Sequence, residues 1–133
     1  MNVAPRFPIA PVPDHWCWIG EDDSVFLNGL IDWLGSRRSR PDQTSDYHVQ
    51  LVNVSSSKKI HKILAKANAD VFVWSIDCAG IAGLVQEIAW LKQVQPSVLQ
   101  IVAGPASPAE RTYLFEAGAR FHIEHADQWQ SQK

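Results

Sequence analysis

Ala69-Asp-Val-Phe-Val-Trp-Ser75-Ile-Asp-Cys-Ala-Gly80-Ile-Ala-Gly83 joins an apolar run to a loop whose last two glycines stand three residues apart. The run Val71 to Trp74 has no polar alternation, the pattern of a parallel strand covered on both faces. From Gly80 to Val94 the residues Ile81, Leu84, Val85, Ile88 and Leu91 fall on one side of a helix. A buried strand feeding an amphipathic helix is the repeating unit of a parallel sheet, so this stretch predicts an α/β fold.

The same alternation continues in both directions. Apolar runs at Trp16 to Gly20, Tyr47 to Val54, Val71 to Ile76, Leu99 to Ala103 and Arg120 to Glu124 read as strands. Between them, Ser24 to Leu34, Ser56 to Asn68, Gly80 to Val94 and Pro108 to Ala117 read as helices, with Ile60, Ile63, Leu64 and Ala67 forming the inward face of the second. Ser107-Pro-Ala-Glu110 is a capping box with proline at the first helical position, and Gly118 stands where the fourth helix should stop. Four strand-helix units and a fifth strand describe a doubly wound, five-stranded parallel sheet.

Residues 1–14 carry Pro5, Pro8, Pro11 and Pro13 and form an N-terminal arm biased toward extended backbone; residues 15–133 form one domain. A chain of 133 residues is long enough to bury one core without disulfides or metal. A net charge of −2 gives no reason to expect nucleic acid or membrane as a partner, and no apolar run suits a signal sequence or a membrane span. A cytoplasmic location is expected. Cys17 and Cys78 have no metal-ligand spacing and suit buried thiols, with a disulfide between them left open. Arg37, Arg38 and Arg40 lie in the longest connection and read as a solvated loop.

Ligands of open parallel sheets bind beyond the carboxyl ends of the strands. Here those positions hold Glu21-Asp22-Asp23, then Ser75 and Asp77, then Ala103-Gly104-Pro105, then Glu124-His125. With the loop from Ala69 to Gly83, this pattern resembles the receiver domain of response regulators over residues 15–126. The resemblance implies a CheY-like, flavodoxin-like sheet of order 2-1-3-4-5. It also implies an acidic pair holding Mg²⁺, matched by Glu21 and Asp22, and places Ser75 where that family has its phospho-accepting Asp. The hydroxyl residue after the fourth strand is replaced by Ala103, and the Lys after the fifth by His125.

These departures fall on one mechanism. A serine hydroxyl is a poor nucleophile without a base and adds no anionic metal ligand, and a mostly neutral imidazole is a poor substitute for a lysine cation. The residues therefore read as a degenerate phosphorylation site, and the chain as a pseudo-receiver: a signalling or regulatory interaction module, not an enzyme, working without phosphorylation and without a cofactor. One alternative keeps the chemistry, with Asp77 as acceptor and Mg²⁺ at Glu21 and Asp22. Another is an α/β domain binding a small ligand at the strand ends. The three carboxylates also have a simpler role, capping the first helix. A Ser75–His125 hydrolase lacks the strained elbow such enzymes use.

After the last strand only Ala126 to Lys133 remain, with Trp129 as the one large apolar residue, so a fifth helix is short or missing. The sheet face it would cover needs another cover, either the arm with Phe7 and Ile9 or a second subunit. In receivers the face of the fourth helix and fifth strand is the usual partner surface, which implies a protein partner or a homodimer there. Trp33, Trp74 and Trp90 read as core or near-core packing, whereas Trp16, Trp18 and Trp129 either pack together or leave a sticky surface.

Overall fold

The computed structural model describes residues 14–21, 24–36, 48–52, 57–76 and 80–129. Five parallel strands, β1 (His15–Ile19), β2 (His48–Val52), β3 (Val71–Ser75), β4 (Leu99–Ala103) and β5 (Phe121–Ile123), alternate with four helices. These are α1 (Val25–Ser36), α2 (Ser57–Lys66), α3 (Gly80–Val94) and α4 (Pro108–Ala117). The sheet order is β2-β1-β3-β4-β5, so the chain starts near the middle, turns back once and then runs outward. The α/β reading, the strand order and the helix count of the sequence all hold.

Side-chain alternation splits the core into two layers. On one face Cys17, Ile19, Phe72, Trp74 and Val102 meet Ile60 and Leu64 of α2, Leu84, Ile88 and Leu91 of α3, and Leu114 of α4. On the other, Trp16, Trp18, Val71, Val73, Ile101 and Ile123 meet Leu27, Leu30, Trp33 and Leu34 of α1. All five residues of β3 are buried, which is why its sequence shows no polar alternation. A buried polar link crosses the first layer: the Trp74 indole N–H donates to Gln100 Oε1 (2.8 Å), and Gln100 Nε2 donates to Ile88 O (3.1 Å). It fixes α3 to β4 while leaving neither side chain unsatisfied.

One expectation needs revision, and Trp90 holds as near-core packing. Ile63 is 40 % exposed, because α2 turns only Ile60 and Leu64 fully into the core. Trp90 is half-buried, its ring stacked on His61 at 4.0 Å while His61 Nε2 donates to Glu87 Oε2 at 2.5 Å. Cys17 is a free, buried thiol whose pKa burial pushes up to about 12, so it serves as a small apolar residue; Cys78 lies outside the described residues. No helix among the described residues is long and apolar enough to cross a membrane.

The described residues after β5 pack back onto the α1 side of the sheet. After β5 a single 3-10 turn, Ala126–Trp129, carries Trp129 into the α1 layer, where it is fully buried. Gly29 makes this possible: a Cβ there would stand 2.8 Å from Ala126 O and 3.0 Å from Trp129 Cδ1. Gln128 Oε1 locks the turn by accepting from the backbone N–H groups of Glu124 (2.5 Å) and His125 (2.7 Å). Trp16, Trp33 and Trp129 pack together at ring separations of 5.9, 6.0 and 6.5 Å. Of the two alternatives for the chain-end tryptophans, packing together is the one observed, and Trp18 is buried in the same layer. The arm residues Phe7 and Ile9 lie outside the described residues.

Candidate functional site

The carboxyl ends of β1, β3 and β4 bring Gly20, Ser75 and Ala103 side by side. Ser75 is the register partner of Ala103, and Gly20 follows Ile19, the partner of Trp74. Gly20 lies so close to Ser75 that a Cβ built on it would fall 2.5 Å from Ser75 Cβ and 3.3 Å from Ser75 Oγ. Its φ of 155° further restricts the position to glycine. The Gly20 N–H donates to Val52 O (2.9 Å), which anchors this backbone to β2 as it passes Ser75. Ser75 is left 4 % exposed and Ala103 fully buried.

Glu21 follows Gly20 and is exposed; its carbonyl accepts from the Trp18 indole N–H at 2.9 Å, so its backbone is held while its side chain faces outward. Asp22, Asp23 and Asp77 lie outside the described residues. The residue that caps α1 is Ser24, whose Oγ accepts from Phe26 N (3.1 Å). Among the described residues no group of three or more His, Cys, Asp or Glu is placed to hold a metal ion.

His125 stands beyond β5, exposed, and β4 separates that strand from Ser75 on β3. The histidine that does enter the sheet's end is His122 on β5. It is 7 % exposed, and its Nε2–H donates to Gly104 O at 2.6 Å, while Gly104 N donates to Ile123 O at 2.8 Å. Gly104, the first residue after β4, is thus held at both its N–H and its carbonyl. Burial pulls the His122 pKa below its ordinary value, with Arg111 and His125 acting the same way and the Gly104 bond and Glu124 opposing. The sequence drew attention to the residues after β5 and passed over His122, although a lone histidine between Phe121 and Ile123 is a polar residue on an otherwise apolar strand.

Among the described residues, the groups that meet Ser75 at the end of β3 are small and uncharged. A glycine, a buried serine hydroxyl and an alanine meet there, with the Trp18 indole N–H 3.4 Å from the Cβ position of Gly20.

No protein-family model and no curated protein matches the chain. Solved structures do. A response regulator from Burkholderia pseudomallei, with a phosphorylated aspartic acid, calcium and citrate, aligns with a TM-score of 0.61 at 20% identity over 90% of this chain. The match spans 66% of that protein's length. A CheY-like protein, TadZ, from Pseudomonas aeruginosa aligns at 0.60 with 16% identity over 87% of both chains. The isolated REC domain of RcsB from Salmonella enterica, solved with a phosphomimetic, aligns at 0.58 with 16% identity over 88% of this chain and 83% of that one. The architecture is the α/β fold of CheY-like receiver domains.

Proposed function

We propose that this chain is a pseudo-receiver, a signalling domain that keeps the receiver fold, works without accepting a phosphoryl group, and acts by binding protein rather than as an enzyme. The observation that carries this reading is the contact between Gly20 and Ser75. In-line phosphoryl transfer needs a nucleophile open to the donor and positive charge over the transferred group. Ser75 is covered by backbone, and its strand-end neighbours Gly20 and Ala103 supply neither charge nor a hydroxyl. The likeness in fold to response regulators supports the signalling context.

The test is a titration with beryllofluoride and Mg²⁺ followed by tryptophan fluorescence, together with incorporation of label from a small phosphodonor. Neither saturable binding nor covalent label is expected. Mg²⁺-dependent binding that disappears in Asp77→Asn would overturn the reading in favour of an acceptor at Asp77, with Glu21 and Asp22 as metal ligands.

The binding surface we assign to this module is the face of α4 and β5; on α4, Tyr113 (59 % exposed) and Phe115 (41 % exposed) stand on the two flanks of buried Leu114. Large apolar side chains left exposed on a helix favour a protein partner or a second copy of the chain. Light scattering across a concentration series, with Tyr113→Ser/Phe115→Ser as control, tests the second copy. Dimerisation lost in the double variant supports it, and a monomer at every concentration directs the search to another protein.

A further inference from the structure

The opposite end of the sheet carries a feature unrelated to phosphoryl chemistry. His15 and His48 open the adjacent strands β1 and β2 and are register partners. Partnered residues on parallel strands project to the same face of the sheet, and here the two imidazoles stack with centroids 5.2 Å apart and planes 27° from parallel. Backbone bonds fix both positions: His48 N–H donates to Asp14 O (2.7 Å), and Asp70 N–H donates to His15 O (2.9 Å). His15 is half-buried and His48 exposed, so the pair is anchored at one side and open to solvent at the other.

We propose that His15 and His48 together chelate a first-row divalent cation of the imidazole-preferring class, copper(II) most tightly and zinc(II) less so. Each neutral ring offers one in-plane nitrogen lone pair, and chelation would turn the rings out of their stack so that an edge of each meets one ion. Because the sheet already sets the two backbones side by side, chelation orders only the rings, whereas scattered surface histidines would have to be brought together. Among the described residues no third His, Cys, Asp or Glu completes the set. Copper leads zinc because affinity at nitrogen sites follows the Irving–Williams order.

The experiment uses the full chain without a histidine tag. Copper(II) is titrated and followed by electron paramagnetic resonance, and zinc(II) by calorimetry. One equivalent of copper with two equatorial nitrogens is expected, tighter than zinc. His48→Asn and His15→Asn should each weaken binding about tenfold or more, since even outer-shell changes cost that much. His61→Asn and His125→Asn should leave it unchanged. His48 is exposed, so its variant keeps the fold, which circular dichroism verifies. Unchanged affinity and an unchanged two-nitrogen signal in His48→Asn overturn the proposal, as does a wild-type chain that binds no better than the His15→Asn/His48→Asn double variant.

Discussion

Gly20 and Ser75 show how a single hydrogen in place of a side chain shapes a strand end. Gly20→Ala forces a methyl to 2.5 Å from Ser75 Cβ on a backbone with φ 155°, so we expect a loss of about 2 kcal/mol or more by urea denaturation. Ser75→Asp restores the acceptor's chemical type but buries a carboxylate with no described cation against it. It should cost about 3 kcal/mol and still give no Mg²⁺-dependent beryllofluoride binding, because the Gly20 backbone stays packed against the position. His122 titrates with the same sign as a paired carboxylate, although here folding favours the neutral form of the group, through burial. Its pKa is lowered on folding, so the unfolded chain takes up the proton first, and stability is full above the ordinary histidine pKa near 6.5 and falls as the pH drops below it. In His122→Gln, which keeps an N–H donor for Gly104, that acid slope should flatten; an unchanged slope would assign it to other groups. Ser75 and Ala103 were legible as strand-end residues because continuous apolar runs locate a strand's last residue well. The roles of Gly20 and His122 were not, since they depend on which backbone passes which side chain across strands that sequence spacing does not relate.

At the scale of elements, the most legible was α4, whose Ser107 Oγ accepts from Glu110 N (3.2 Å) while Glu110 Oε1 accepts from Ser107 N (2.8 Å), as its capping box predicts. Ser107→Ala should cost about 1 kcal/mol. The least legible was the C-terminal turn. Four residues with one tryptophan carry no periodicity, and the notch that receives them is made by Gly29, a glycine inside a helix whose purpose becomes visible only when Trp129 arrives beside it. Trp129→Ala should cost about 3–5 kcal/mol by thermal or chemical unfolding, the range for a large buried aromatic side chain. The outward tilt of Ile63 was hidden for a related reason: helical spacing gives a stripe, and the partner helix decides how wide a stripe is covered.

Across the whole molecule, the two layers of core are separated by the sheet, with α2, α3 and α4 on one side and α1 and the C-terminal turn on the other. Ser107→Ala and Trp129→Ala lie in different layers and share no partner, so their costs should add to within about 0.5 kcal/mol, and a larger departure would reveal coupling through the sheet. The strand order was implied by family resemblance rather than by the periodicity, which gives the elements but not their neighbours. Three indoles from β1, α1 and the final turn lie within 6.5 Å of one another, close enough for their electronic transitions to couple. The near-ultraviolet circular dichroism of this chain should therefore carry an exciton band that belongs to no single chromophore. When the last turn lifts away that band should lose the Trp129 contribution while the Trp16–Trp33 coupling and the peptide signal of the sheet stand, giving an optical gauge of one docking event.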